Sequence, residues 1–390
     1  MKKIIRSACV LGILFLLGLA GAAGDLAAQD GTAYFVLRIG ADTVAVERYE
    51  RTATMITGRQ LLRTPRIMNR DYTATLDAEG NATRAELVFS RPGDASVISS
   101  TTIDFGRDSA VVTVRQDDST RVITVPAERG AIPFLGYSVG FYELPLAQHR
   151  GSGTPSSNRS LVPIGSRSAF DSEISSLEGD WITLTNIAGE NRLRVDSQGR
   201  LLAWDGTGST LKLEGERLTG LDFDALETSF SERERAGQVM GTLSPRDSVD
   251  ATIGEATIRI SYSRPSTRGR SIDGEVVPWN QVWRTGANQA TQLSSDGTLL
   301  IGDVALAAGT YSLWTLPTAQ GWTLIVNAQH GQWGTEYDQT QDAARIPMSN
   351  RPADSHVEQF TISVESDGGA GRLALAWGDV HVWVPLRAAP

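Results

Sequence analysis

The feature that most constrains the fold of this chain is an alternation of apolar and polar residues in short runs, each closed by turn-forming residues. Between Ala33 and Val125 the runs include YFVLRIG, YTATLDAEGN, AELVFS, AVVTVRQDD and TRVITVP, and DWITLT, RLRVD and RLLAWD follow from Asp180 onward. A period of two residues places successive side chains on opposite faces of a β-strand, and short polar turns join antiparallel neighbours. The pattern predicts an all-β protein.

The alternation weakens in a charged run, LETSFSERERAGQVMGTLSPRDSV, which begins at Leu226. We place a domain boundary there, after Arg235. The predicted organisation is a signal peptide over residues 1–28, an antiparallel β meander or half-barrel-like domain over residues 29–235, and a β-sandwich domain over residues 236–390. Seven of the nine tryptophans lie in the last segment, which supplies large apolar side chains for a separate core.

The N-terminal residues have the three parts of a Sec signal peptide. Lys2, Lys3 and Arg6 form a basic start, residues 8–23 form an apolar run, and a small-residue exit ends at Ala28. The apolar run is short for a membrane span, which disfavours an uncleaved anchor. We therefore expect cleavage after Ala28, no transmembrane segment after that cleavage, and a mature protein in the periplasm or outside the cell.

Composition argues against several classes of partner and site. The formal net charge of −9 at pH 7 disfavours nucleic acid. Cys9, the single cysteine, lies inside the predicted signal peptide, so the mature chain has no disulfide and no thiol chemistry. The four histidines form no HExxH motif. His356 with Glu358, and Asp379 with His381, could each share a strand face. Such pairs are usually solvated, and we predict no metal and no cofactor. Lys212 is the only lysine after the signal peptide, which we interpret as compositional bias toward arginine.

Two short motifs are typical of catalytic sites, but their surroundings favour a structural role. GYSVG, at residues 136–140, matches the Gly-x-Ser-x-Gly nucleophile elbow. That turn needs a parallel strand followed by a helix, whereas antiparallel β is predicted around it. STLK, at residues 209–212, matches Ser-x-x-Lys, which needs a helix, whereas TLKLEG alternates as a strand. We interpret the first as a tight apolar turn and the second as part of a strand.

One long segment has neither a helical nor a strand period: SRPSTRGRSIDGEVVPWNQVWRTGAN, from Ser263 to Asn288. A structureless segment of this length inside a compact domain is uncommon and often functional. Its two prolines stiffen the backbone, and Gly269, Gly274 and Gly286 permit positive φ. Its four arginines can form bidentate bonds to carboxylate or phosphate.

This segment is one of several motifs shared with a known family. The motifs are LSPRDSV, YSRPSTRGRSIDGEVVPWNQVWRTGAN, AAGTYSLWTLP, GWTLIVN, QWGTEYD, DAARIPM and LALAWGDVHVWVPL, in this order. Through them the C-terminal half, from about Gly241 to Leu386, resembles a bacterial family known only as domain of unknown function 2911. The resemblance implies an exported protein and brings no activity, ligand or catalytic residue.

Two interpretations of the loop remain open at this point. In one, the loop is a structural plug whose arginines bind backbone carbonyls and acids. In the other, it forms a pocket for a small anionic, sugar or peptide ligand, and WNQVW would place both of its tryptophans on one face if it made a helical turn. The residues assigned to that pocket are Arg264, Arg268, Arg270, Trp279, Trp283, Arg284, Asn288, Trp333, Tyr337 and Asp338.

The function that we predict from these features is that of an exported, non-enzymatic ligand- or partner-binding β protein of the cell envelope. The alternative is a hydrolase that acts on cell-envelope glycan or peptide, with Glu336 and Asp338 as its acid and base. The sequence contains no compact Ser/His/Asp set and no metal-ligand set, and this favours binding.

The signal-peptide prediction can be checked on protein made by the native host. We expect N-terminal sequencing to begin at or near Gln29, because the small residues before it fit the signal peptidase site. Intact Met1 on membrane-bound material would contradict cleavage.

Overall fold

The computed structural model describes residues 31–93 and 96–389, so the predicted signal peptide at residues 1–28 lies outside the described residues. Within them the chain forms two large sheets of 15 and nine strands, and the predicted all-β class is confirmed. Neighbouring strands are antiparallel, with one parallel pair in the first sheet. No helix in these ranges is long and apolar enough to cross a membrane.

The first sheet, sheet 1, is formed by the N-terminal half of the chain. Its strands are β1 (Ala33–Ile39), β2 (Asp42–Arg51), β3 (Met55–Leu62), β4 (Met68–Leu76), β5 (Ala82–Ser90), β6 (Val97–Phe105), β7 (Ser109–Gln116), β8 (Ser119–Pro126), β9 (Ile132–Phe134), β10 (Ser156–Pro163), β11 (Phe170–Ser176), β12 (Trp181–Asn186), β13 (Gly189–Val195), β14 (Leu201–Asp205) and β15 (Glu214–Leu218). Helices α1 (Glu143–Ser152) and α2 (Phe223–Arg235) belong to the same half.

Sheet 1 consists of two meanders joined side by side. Strands β1 to β8 follow one another across one half and β9 to β15 across the other, and β1 pairs with β15 at the junction. Strand β1 is buried on both faces, which fits its position in the middle of the sheet. Phe35 and Leu37 contribute to a core that includes Phe141, whereas Val36 lies in a second cluster with Phe223 of α2.

The GYSVG segment is a buried turn that packs against sheet 1, as its sequence context predicts. The carboxylate of Glu47 accepts hydrogen bonds from the hydroxyl of Tyr72, from Ser138 Oγ at 2.7 Å and from the Val139 amide at 2.8 Å. Burial raises the pKa of the Glu47 carboxyl. Ser138 is itself buried and its hydroxyl is used in this network, so the turn has a structural role.

The second sheet, sheet 2, is formed by the C-terminal half. Its strands are β16 (Arg246–Ile253), β17 (Ala256–Ser263), β18 (Thr291–Ser295), β19 (Leu299–Ile301), β20 (Val304–Leu306), β21 (Gly309–Thr318), β22 (Gly321–Asn327), β23 (Asp342–Asp367) and β24 (Ala370–Ala388). Their order in the sheet is β16-β17-β18-β21-β22-β23-β24-β19-β20.

Sheet 2 folds back on itself and encloses its own core. The pairing of the long strands β23 and β24 shifts register between Pro352 and Val357, and such irregularities bend a sheet. Strand β16 therefore contacts β23 and β24 although four strands lie between β16 and β23 in the hydrogen-bonded order. Between the layers the rings of Tyr262 and Phe360 meet edge to face at 5.7 Å. One continuous sheet thus supplies both layers of the predicted sandwich.

The division into domains at residue 235 remains a prediction. The buried members of each main apolar cluster come from one half, although Met240 and Leu243 pack against the core of sheet 1, and we expect a fragment of residues 237–390 to fold alone. Its thermal unfolding should be cooperative when followed by near-ultraviolet circular dichroism. An insoluble or molten fragment, beside a well-behaved full chain, would show that the halves form one folding unit.

Candidate functional site

The segment between β17 and β18, residues 264–290, forms no helix and no strand of either sheet, as predicted. We call it the arginine loop. Its glycines at 269 and 274 have φ of 75° and 77°, in the region that favours glycine. The loop is anchored by buried side chains, among them Thr267, Ile272 and Val277. It is therefore a packed part of the structure with a defined backbone path.

A cavity of about 830 Å³ lies between the two sheets, and we call it the inter-sheet cavity. Sheet 1 contributes Ile39, Leu62, Arg70 and the turns around residues 186–189 and 208–212, and sheet 2 contributes the arginine loop and residues 333–337. The connecting residues 242–244 also line it. Its volume lies within the range of about 300–1,000 Å³ that is usual for small-molecule sites.

The charged residues that line the inter-sheet cavity are all cations. They are Arg70, Lys212, Arg268, Arg270 and Arg284, and no aspartate or glutamate is among the lining residues. A second concavity, of about 470 Å³ on sheet 1, is lined by both cations and carboxylates. There Arg59 pairs with Asp71, so cations and carboxylates share the surface. The charged side chains on the wall of the inter-sheet cavity are therefore cationic only, in a protein whose net charge is negative.

Arg284 is the least satisfied cation of the cavity. Its one hydrogen bond within the described residues is a long one of 3.5 Å to the Asn288 carbonyl. Burial lowers the pKa of its guanidinium. Gly334 packs directly on this side chain, because a Cβ at residue 334 would lie 2.3 Å from Arg284 Cδ. The side chain is thus positioned by packing while most of its donors remain available.

Arg270 is held by backbone carbonyls of its own loop, and Arg268 is held by a carboxylate of sheet 1. Arg270 donates from Nε to the Thr267 carbonyl and from Nη2 to the Ser266 carbonyl, each at 2.9 Å. Arg268 forms an ion pair with Asp42 of sheet 1. Burial lowers the pKa of the Arg270 guanidinium, and repulsion from Arg268 lowers it further. The two guanidinium groups are therefore close enough to repel each other.

Lys212 joins this cluster from sheet 1. Its Nζ donates to the Thr207 carbonyl at 2.5 Å. Burial lowers the pKa of the Lys212 amine, and repulsion from Arg270 and Arg284 outweighs a weaker attraction to Glu275 and other acids. Lys212 therefore lies near Arg270 and Arg284, and the three cations line the same cavity from both sheets.

The segment at residues 209–212 differs from its prediction, because β15 begins only at Glu214 and the segment is an irregular bend. Ser209 Oγ donates to the Gly206 carbonyl at 2.8 Å, and the amine of Lys212 is bonded to a different carbonyl of the same turn. This geometry is that of a stabilised turn.

Arg70, on β4, extends the cationic wall. Its Nη1 donates to the Gly136 carbonyl at 2.8 Å, and its Nε has no hydrogen-bond partner among the described residues. Burial lowers the pKa of this guanidinium to about 10. The neighbouring Tyr137 also lines the cavity, and burial raises the pKa of its phenol.

Three of the predicted aromatic residues line the cavity with different degrees of exposure. Trp283 packs into the core of sheet 2 and stacks on Trp377 at 5.7 Å. Trp333 is exposed at the edge of the cavity. The ring of Tyr337 lies on the wall, while its hydroxyl donates to Asp342 at 2.7 Å, and its pKa is raised to about 12 by burial and by this bond.

The structure brings together seven of the ten residues that the sequence assigned to the pocket. These are Arg268, Arg270, Trp283, Arg284, Asn288, Trp333 and Tyr337. Arg264, Trp279 and Asp338 are absent from the lining. The helical turn considered for WNQVW is not formed, since Asn280 has a φ of 61° and the backbone of Trp283 pairs with Thr315 of β21.

Two of the three residues outside the cavity, Arg264 and Asp338, have local structural roles. Arg264 donates to the Phe360 carbonyl at 3.0 Å, to Thr361 Oγ1 at 2.8 Å and to Asp247 at 3.0 Å. The side chain of Asp338 accepts from the amide and hydroxyl of Thr340, and these bonds lower the pKa of its carboxyl. Trp279 is exposed.

Glu336, the other candidate carboxylate, also completes a local turn. Its carboxylate accepts from the Trp333 amide at 3.0 Å, and its side chain is not part of the cavity wall. In residues 31–93 and 96–389 no three histidine, cysteine or acidic side chains are arranged to hold a metal ion.

Fold and site define an all-β protein with a cationic cavity between two sheets. Residues 244–386 match the family described as "Protein of unknown function (DUF2911)", and the N-terminal half matches no family. No curated protein matches this chain. The family description names no activity, so the function has to be inferred from the site.

Two solved structures are similar over part of the chain. A DUF1089 family protein from Pseudomonas aeruginosa is 15% identical with a TM-score of 0.32, and the match covers 43% of this chain and 92% of that one. A β-barrel-like protein of domain of unknown function DUF1849 from Brucella abortus is 10% identical with a TM-score of 0.33, and the match covers 48% of this chain and 94% of that one.

Sequence reasoning missed the residues that sheet 1 contributes to the cavity. Arg70 and Tyr137 lie in segments with an ordinary strand or turn pattern, and no local signal distinguishes them. Lys212 did carry a signal, because it is the only lysine after residue 3, although we attributed this to composition. The cavity joins distant parts of the chain, so a search of one segment could find only half of it.

Arg264 and Arg284, two half-buried arginines of one loop, should respond differently to truncation. Arg264→Ala removes three bonds and leaves the Phe360 carbonyl without this donor, so we expect a loss of about 1–3 kcal/mol in the free energy of unfolding. Arg284→Ala removes one long bond and relieves repulsion, so a change below about 0.5 kcal/mol is expected. Urea unfolding measures both values. Equal losses would mean that Arg284 is a structural plug like Arg264.

Proposed function

We propose that this protein is an exported, non-enzymatic binding protein of the cell envelope, and that the inter-sheet cavity holds a small ligand with at least one anionic group. Sugar acids and peptide carboxylates belong to this class, as do phosphate and sulfate esters. The observation that carries the proposal is the cavity lining, which contains five cationic side chains and no aspartate or glutamate. Within the described residues Arg268 alone of the five forms an ion pair, with Asp42, which is not a lining residue. The export part rests on the signal-peptide pattern of residues 1–28.

Electrostatic energy supports an anion as the ligand. Partial burial of unpaired cations is unfavourable, and the lowered pKa values of Lys212, Arg270 and Arg284 express that cost. An anion placed about 4 Å from one such charge gains about 4 kcal/mol at an effective dielectric constant of about 20. Lys212, which is repelled by both Arg270 and Arg284, would be stabilised together with them by one anionic group, preferably through bidentate bonds from the guanidinium groups.

The alternative of a hydrolase has less support. A general acid at neutral pH needs a raised pKa, whereas hydrogen bonds from Thr340 lower that of Asp338. Neither Asp338 nor Glu336 lines the inter-sheet cavity, and each completes a turn of its own loop. A substrate held by the cationic cluster would therefore meet no acid–base pair on the cavity wall.

Thermal unfolding with added anions tests the proposal. The ligands are galacturonate, an N-acetyl dipeptide, inorganic phosphate and decanoate, with choline chloride at equal ionic strength as the control. At 100 times the dissociation constant a ligand stabilises the native state by about 2.7 kcal/mol, which is an easily measured shift in Tm. We expect at least one of these anions to stabilise the wild type and to have a much smaller effect on Arg284→Gln.

Arg259→Gln provides a matched control, because Arg259 is exposed on β17 and pairs with Asp250 away from the cavity. It should respond to anions like the wild type. If no anion stabilises the wild type, or if Arg284→Gln is stabilised equally, the cavity is not an anion site.

Anion affinity should also decrease at alkaline pH. The pKa of Lys212 is lowered in the free protein, so its charge is complete only below that lowered pKa and is lost as the pH rises through it. A bound anion favours the charged amine, so binding weakens over this interval. Lys212→Gln should therefore bind more weakly at pH 7 and show a shallower decline, as measured by calorimetric titration.

A further inference from the structure

Exposed apolar side chains from both halves of the protein lie at the rim of the inter-sheet cavity. Ile187 is 62% exposed, Leu211 is 43% exposed and Trp333 is 42% exposed. All three line the cavity. Ten large apolar side chains are exposed in the part of the chain that the structure describes, so three at one cavity is a marked concentration. Clustered exposed apolar surface is typical of a binding site.

The turns that carry Ile187 and Leu211 are held together, which makes this part of the rim a single surface. The Thr210 amide donates to the Ala188 carbonyl at 2.7 Å, and Gly189 and Ser209 form an isolated β-bridge. Trp333 comes from sheet 2, where the arginine-loop residue Gln289 forms a bridge to it. The apolar rim is therefore built from the two joined turns of the N-terminal half and from Trp333 of the C-terminal half.

The apolar surface continues from the rim into the cavity. The interior wall includes Ile39, Leu62, Leu243, Val276, Val282, Trp283, Trp314 and Trp377. The indole nitrogen of Trp377 has no hydrogen-bond partner among the described residues although the side chain is 97% buried. Such a wall matches a ligand with a substantial hydrocarbon part better than one covered with hydroxyl groups.

We infer that the ligand of this cavity is amphipathic, namely an alkyl chain with a terminal carboxylate, phosphate or sulfate. The inference rests on the proposed function, because it takes anion binding as given and adds the apolar part. The anionic group binds where Lys212, Arg270 and Arg284 line the cavity. The chain covers the neighbouring apolar surface, which begins at Leu211, next to Lys212, and at Trp333, next to the Gly334 that packs on Arg284.

The closeness of charge and apolar surface is the reason for this ligand class. A small polar anion would satisfy the three cations and leave Ile187, Leu211 and Trp333 in water. An uncharged hydrocarbon would cover these side chains and leave the cations unpaired. An alkyl anion satisfies both, and its hydrocarbon part gains affinity in proportion to the area that it removes from water.

Isothermal titration of the full-length mature protein with butyrate, octanoate and dodecanoate tests the inference, with every ligand below its micelle concentration. Full burial would tighten binding by about fourfold for each added methylene group. Decyl phosphate and decyl sulfate, compared with decanoate, distinguish the possible anionic groups. Decanol and decyltrimethylammonium serve as the uncharged and cationic controls, and both should bind much more weakly than decanoate.

A pair of variants tests the rim itself. Ile187→Ser combined with Leu211→Ser should weaken dodecanoate by at least about tenfold and leave butyrate unchanged. Val122→Ser is the matched control, because Val122 is 61% exposed on β8 and does not line the cavity. The chain-length series on the wild type stands by itself if the double variant does not fold.

The outcomes separate the inference from the proposed function. Equal affinity for butyrate and dodecanoate would overturn the amphipathic ligand and leave anion binding intact. Binding of decyltrimethylammonium as tight as that of decanoate would overturn the role of the cationic cluster. No binding by any of these anions, together with no stabilisation by the polar anions above, would overturn both.

Discussion

The contact between Arg268 and the turn that joins β1 to β2 fixes the arginine loop between the sheets, and the inter-sheet cavity depends on it. The Arg268 carbonyl accepts from the Ala41 amide at 2.9 Å, and its guanidinium pairs with Asp42. Gly40 makes the approach possible, since a Cβ there would lie 2.3 Å from that carbonyl. Each bond contributes only about 1 kcal/mol. The contact therefore sets geometry more than stability, and it does so at the point where both halves meet.

A largely buried arginine of sheet 1 shows how this chain can satisfy such a charge. Arg217 donates to the Glu143 carboxylate at 2.8 Å in the core of sheet 1, and Glu143 also receives a bond from Tyr49. Among the described residues Arg284 has no comparable partner. A partly buried charge without a partner departs from the usual rule of protein interiors, and such departures are expected at functional sites. The unpaired charge is the strongest reason to treat the cavity as a site.

The sequence identified the arginine loop but could not say which of its side chains would face a ligand. Arg264 and Arg284 look equivalent in sequence, yet Arg264 lies against β23 and donates its hydrogen bonds to backbone and side-chain acceptors there. Trp279 and Trp283 are four residues apart, yet one is exposed and the other packs in the core. In a loop without period, side-chain direction depends on individual φ values such as the positive ones at Arg268 and Asn280.

The all-β class and the irregular loop followed from the sequence alone, because alternation with a period of two and closely spaced turns are local properties that each strand carries by itself. The family match over residues 244–386 was likewise predicted from the sequence motifs. Only the tertiary structure decided that Arg70 and Lys212 join the arginine loop. Their approach depends on the curvature of sheet 1 and on how the two halves pack, and both result from many long-range contacts that no segment encodes alone.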